Sequence, residues 1–197
     1  SPEGSDQPTD CFCLGGFSGP PGGPCEQCPA DTFCFMGNRS SCLNNSGAPP
    51  QSSRSTDCRC NAGYVGGSGE ECWTCEAGRW CPGGNESVLC PGNSTSPEGS
   101  DQPTDCFCLG GFSGPPGGPC EQCPADTFCF MGNRSSCLNN SGAPPQSSRS
   151  TDCRCNAGYV GGSGEECWTC EAGRWCPGGN ESVLCPGNST SPEGSDQ

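Results

Sequence analysis

Apolar side chains are scattered thinly along this chain and never run together for long. Leu, Val and Phe together number 18 of 197 residues, and Ile is absent. The pattern that recurs is built on cysteine instead. Its fullest form is Thr56-Asp57-Cys58-Arg59-Cys60-Asn61-Ala62-Gly63-Tyr64-Val65-Gly66, with a close relative from Thr9 to Gly19. In an extended segment, side chains two apart share a face. Cys58 and Cys60 are therefore expected to point inward and Arg59 outward. Gly63 and Gly66 supply backbone freedom for tight reversals on either side of one aromatic ring. The predicted element is a small disulfide-stapled hairpin. With 33 Gly and 21 Pro, long helices and broad sheets are disfavoured.

The pattern is doubly periodic. Residues 1–95 and 96–190 are identical, and residues 191–197 restart the series, so a longer array is the expectation. Within each 95-residue period, Cys11, Cys13, Cys25, Cys28 and Cys34 recur 47 residues on, at Cys58, Cys60, Cys72, Cys75 and Cys81. Cys42 recurs as Cys90 after a one-residue insertion. Fixed-period self-similarity is the mark of units that stack on their neighbours. The expected modules are 26–72, 73–120 and 121–167, with partial modules at 1–25 and 168–197. Two-residue bridges, Glu26-Gln27 and Trp73-Thr74, are too short to act as flexible linkers. A 15-residue Ser-, Pro- and Gly-rich loop between Cys42 and Cys58 is expected to line the outside.

Composition changes the picture from disorder to crosslinking. So little apolar content would leave an ordinary chain unfolded. The 24 cysteines offer the remedy, because disulfides can replace a hydrophobic core. That demands an oxidising compartment, so the expected location is extracellular: secreted, or on a cell-surface appendage. The net charge is −14, every basic residue is Arg and His is absent, which disfavours nucleic acid as a partner. No apolar run approaches the ~20 residues of a membrane span. Six cysteines per unit allow 15 pairings, and spacing alone selects none of them.

Cys-x-Cys-x-x-Gly-aromatic-x-Gly followed by a cysteine resembles the C-terminal half of an EGF-like module. The whole unit is most similar to the ephrin-receptor-like cysteine-rich repeat. The matching pieces are Ser96-Pro97-Glu98-Gly99-Ser100, Asp57 to Gly66, Cys72 to Cys75, and Gly78-Arg79-Trp80-Cys81. The fold class this implies is small and disulfide-rich: tandem EGF-like modules with short β-hairpins and little helix, forming an elongated rod. EGF-type pairing, carried over, implies Cys28–Cys42, Cys34–Cys58 and Cys60–Cys72. It further implies Cys75–Cys90, Cys81–Cys106 and Cys108–Cys120, then Cys123–Cys137, Cys129–Cys153 and Cys155–Cys167. Cys13–Cys25 and Cys170–Cys185 complete the set, with Cys11 and Cys176 left to partners outside these residues.

Other chemistries fit poorly. Cys25-x-x-Cys28 and Cys72-x-x-Cys75 have zinc-ligand spacing, but no His is present and the next such pair lies too far away. A redox role for Cys-x-x-Cys needs a βαβ context that is missing. Glu26-Gln27 and Trp73-Thr74 stand where a calcium-binding EGF module carries acidic residues, so neither metal nor cofactor is expected. Without His for acid–base work, and with Asp57 and Glu70-Glu71 reading as surface charge, no enzyme is expected. Asn-x-Ser/Thr sequons are abundant, at Asn38, Asn44, Asn85 and Asn93 and again at Asn133, Asn139, Asn180 and Asn188. These predict N-glycans on the exposed turns of every module. The aromatic residues Phe17, Phe33, Tyr64, Trp73 and Trp80 are expected to pack locally over disulfides and between neighbours; an exposed sugar-stacking ring is the functional alternative.

The function that follows is structural. Identical units suit a glycosylated extracellular fibre or stalk that assembles with itself end to end, because a rod needs the same contacts everywhere. Cysteine-rich repeats of similar kind occur in mastigoneme-type filament glycoproteins. The alternative is the ectodomain of a cell-surface receptor or adhesin.

Overall fold

The computed structural model describes residues 6–197. Residues 1–5, part of the expected partial module 1–25, lie outside the described residues. The chain forms two compact units. One runs to Cys90 and includes Ser96–Asp105; the other comprises Pro91–Thr95 and Cys106–Gln197.

The first unit is a succession of two-stranded antiparallel pieces. β1 (Phe17–Ser18) pairs with β2 (Glu26–Gln27), and β3 (Thr32–Phe35) with β4 (Asn38–Ser41). β5 (Ser46–Gly47) pairs across the long loop with β6 (Arg59–Cys60). β7 (Tyr64–Val65) then pairs with β8 (Trp73–Thr74), and β9 (Arg79–Gly83) with β10 (Glu86–Leu89). Short 3-10 turns at Pro8–Asp10, Ser55–Asp57 and Pro103–Asp105 precede the Cys-x-Cys segments. The second unit repeats the scheme, for example Thr127–Phe130 against Asn133–Ser136. The molecule is thus a disulfide-dense series of small β-hairpin modules, as its composition requires.

The β3–β4 turn shows how local sequence sets a hairpin. Its two central residues, Met36 and Gly37, have φ of 49° and 81°. Positive φ at both positions gives a turn whose twist matches that of the strands. In the other half-repeat the loop holds Gly83 and Gly84 at φ of 109° and 68°, followed by Asn85. The one-residue insertion between Cys81 and Cys90 falls here, and a register shift between Glu86 and Val88 absorbs it.

Sulfur fills the interior. The buried apolar residues among those described are cysteines plus Ala48 and Ala143. Cys58 and Cys60 are buried, while Arg59 between them is exposed. Main-chain bonds stack the modules around these cysteines. Gly16 donates to the Cys34 carbonyl at 3.0 Å and accepts from Cys28 at 2.9 Å. On the other side, Cys34 donates to the Ser52 carbonyl and Gln51 donates to Cys28, both at 2.9 Å. Gly63, Cys81, Cys75, Ser100 and Gly99 repeat the same bonds. The long loop is consequently no outer spacer, as its polarity suggested. Ala48 and Ser52 in this loop, and Ser96 and Ser100 in its counterpart after Cys90, are buried, and the loop backbone closes the ladder over the Cys28 to Cys34 segment of its own module.

Disulfide connectivity departs from the EGF pattern. Cys28 bonds Cys34, not Cys42; Cys42 bonds Cys58, which was assigned to Cys34. Cys75 bonds Cys81, so neither Cys75–Cys90 nor Cys81–Cys106 forms, although Cys90 and Cys106 are disulfide-bonded. Cys123–Cys129 and Cys137–Cys153 replace Cys123–Cys137 and Cys129–Cys153. Cys170 bonds Cys176, which was expected to look elsewhere for its partner, and Cys185 is free of Cys170. Cys13–Cys25, Cys60–Cys72, Cys108–Cys120 and Cys155–Cys167 are the pairs that the resemblance also implied.

The cause is a turn. Glu76 to Arg79 closes with a 3.2 Å backbone hydrogen bond, and its third residue, Gly78, has φ 79°. Asp31, with φ 62°, takes the same place in the other half. The reversal brings the Cys28 and Cys34 Cα atoms within 5.9 Å, where a bridge fits. The pairs named above each join consecutive cysteines, and their closed loops lie side by side without interlacing. Differences in closure entropy between the two schemes are below about 1 kcal/mol per loop, so turn geometry decides.

Candidate functional site

All eight sequon asparagines are exposed. Asn38 and Asn133 each open the second strand of a hairpin, directly after a turn. Asn44, Asn85 and Asn93 sit in turns, as do Asn139, Asn180 and Asn188. Nearby polar groups fix the backbone around them. Ser46 Oγ donates to the Leu43 carbonyl at 2.7 Å across the Asn44 sequon. Arg79 donates to the Ser87 carbonyl and hydroxyl at 3.3 Å beside the Asn85 sequon. Arg39, within the Asn38 sequon, donates to Ser18 Oγ at 3.0 Å.

The Thr-Asp-Cys motif has a role that its sequence did not announce. The Asp57 carboxylate accepts from the Ser53 and Arg54 backbone N–H groups at 2.8 and 2.9 Å, and Asp152 does the same with Ser148 and Arg149. These two backbone bonds, Ser53 before Arg54, hold the Asp57 carboxyl below the usual carboxylate range; burial opposes them more weakly, and the Arg54 and Arg59 charges add smaller contributions to the lowering. Asp152 is lowered in the same way, by Ser148 first. Asp57 is thus an end-cap for the 3-10 turn.

The aromatic residues divide. Phe17, Phe33, Tyr64 and Trp80 are half-buried. Trp73 is 67% exposed and Trp168 66%, contrary to the expected local packing. Trp73 forms one wall of a recess of about 220 Å³ with Leu43, Asn44, Asn45, Glu71 and Cys72. The equivalent recess at Trp168 and Asn139 measures about 260 Å³. A broader groove of about 530 Å³ runs past Pro49, Pro50, Gln51, Thr56 and Arg59. Among the described residues no three His, Cys, Asp or Glu side chains are grouped as a metal ion would need, and no helix is long and apolar enough to cross a membrane.

No family model matches the chain, and no curated protein matches it in sequence. The geometry of the site therefore carries the functional reading by itself. Periodicity revealed the sequons but not the Trp73 recess, whose members lie far apart in sequence. A usable signal was present in the unmatched positions of the two half-repeats, where Trp73 faces Glu121 in the alignment and Asn44 faces Gly92.

Proposed function

We propose that this chain is a repeat segment of an extracellular, glycosylated, non-enzymatic fibre or stalk. One observation carries the reading: successive modules are joined by the same backbone hydrogen bonds whatever their side chains. Gly16 engages Cys34 and Cys28 as Gly63 engages Cys81 and Cys75, and Gly158 engages Cys176 and Cys170. A surface of main-chain donors and acceptors that each unit offers to the next suits end-to-end propagation of a rod. The disulfide density fits an oxidising, extracellular setting, and the exposed sequons fit a coat of N-glycans. The likeness to EGF-like and mastigoneme-type repeats is one of motif, and the side-by-side pairing sets these modules apart from the EGF arrangement.

Electron microscopy of the native material tests this. A uniform filament with an axial repeat on the order of 50 Å per 95 residues is expected, from modules about 25 Å across. Discrete globular particles or isolated surface receptors would refute the fibre reading.

A further inference from the structure

The Trp73 recess holds a combination that neither local packing nor the repeat alone explains: an exposed indole, a carboxylate and a sequon asparagine. The two half-repeats provide an internal comparison. Where one carries Leu43, Asn44, Glu71 and Trp73, the aligned positions of the other carry Pro91, Gly92, Pro119 and Glu121. The asparagine, the acid and the indole are thus present together or replaced together. The second half keeps a sequon, but moved by one residue to Asn93. Asn93 has φ 60°, as does Asn45, so the shift gives the acceptor side chain a different backbone setting.

We infer that Trp73 and Trp168 are stacking platforms for the N-glycans borne by Asn44 and Asn139. The inference rests on the glycosylation reading above. An indole face is negative and a pyranose presents a face of weakly positive C–H groups, so the two attract as an aromatic pair does. At about 220 Å³ the recess is smaller than the ~300–1,000 Å³ of drug-sized pockets, and it suits one sugar ring adjoining the protein. Glu71 accepts hydrogen bonds from the amide or hydroxyls of that ring, and Leu43 adds apolar contact. Because Ser46 Oγ is engaged with the Leu43 carbonyl in the folded chain, the sugar is attached before the turn closes and then settles onto Trp73. The glycan thereby becomes a fixed part of the module surface.

The test uses the chain secreted from a glycosylating host, with glycopeptide mass spectrometry at Asn44 and acrylamide quenching of tryptophan emission. Trp80→Phe and Trp175→Phe leave only the two platform indoles; Phe33 already occupies the aligned position. Enzymatic removal of N-glycans from the folded protein should raise the quenching constant roughly twofold, as one covered ring face is returned to water. The same rise is expected in the Asn44→Gln, Asn139→Gln variant, and none in Asn93→Gln, Asn188→Gln. Deglycosylation of the unmutated chain supplies the same readout if the Phe background folds poorly. An occupied Asn44 with unchanged quenching overturns the platform alone. An unoccupied Asn44 overturns the platform and the sugar assignment at that position together. Shielding that persists in Asn44→Gln, Asn139→Gln assigns the cover to something else and also overturns it.

Discussion

At the scale of single residues, Asp57 does the work that a helix cap does elsewhere. Its carboxyl titrates below its unfolded value, so the stability it contributes is complete above the ordinary value near 3.9 and is lost as pH falls through the lower, folded value. Protection of the Ser53 and Arg54 amides against exchange, relative to the intrinsic rate at each pH, should therefore fall only below about pH 4. Asp57→Ala should lower it at neutral pH as well, about fivefold for a cap worth about 1 kcal/mol. Unchanged exchange in that variant would show the cap to be incidental. Gly63 is a second such point. Its φ is 82°, and an added Cβ would lie 2.6 Å from the Gly99 carbonyl oxygen. Gly63→Ala should cost about 1–3 kcal/mol, read as a lowered midpoint of denaturation under non-reducing conditions. Gly66 is constrained differently: a side chain there would strike the Glu71 carbonyl.

At the scale of elements, the hairpins were legible in the sequence and their crosslinks were not. Alternation about Arg59 announces two inward cysteines, and the glycine after it announces a reversal. Nothing in the spacing says whether Cys28 should close on Cys34 or on Cys42, because the answer lies in the backbone at Asp31 and Gly78. Pro29-Ala30-Asp31 and Glu76-Ala77-Gly78 carry turn chemistry, and a reading that weighed them against the borrowed pairing would have favoured the short loops. Burial of Ser52 and Ser100 was equally hidden, since small polar residues look the same in an outer loop and in a sealed ladder. Trypsin distinguishes the two pairings directly. Arg39 and Arg59 lie between closed loops, so cleavage after both should release an unreduced fragment 40–59 held together by Cys42–Cys58. EGF-type pairing would leave that fragment tethered to its neighbours until reductant is added.

At the scale of the whole molecule, repetition sets the outcome more than any single site. Among the described residues the interior is sulfur with two alanines and a few serines, so there is little oil-like packing to distinguish one module from the next. Backbone hydrogen bonding carries the joint between modules, which leaves the side chains of the two halves free to differ. The halves differ at most of their non-cysteine positions, Trp73 against Glu121 and Asn44 against Gly92 among them. The exposed sequons are spread over both halves, so any sugar coat is shared along the array while the indole recess occurs once per period.

The side-by-side arrangement of closed loops also dictates how such a strand responds to tension. Loops spanning 6, 16 and 12 backbone steps lock most of the 47-step half-repeat from Cys28 to Cys75, and roughly 13 steps are left to pay out under load. With Cα separations of 5.5–5.9 Å across the bridges, a fully stretched half-repeat reaches about 60 Å, against about 160 Å once reduced. Force spectroscopy should record that limited stretched length in oxidised material and its near-tripling in reductant. A tether of this kind stretches a short way and then stiffens, its backbone taking the strain through the few residues that no sulfur bridge bypasses.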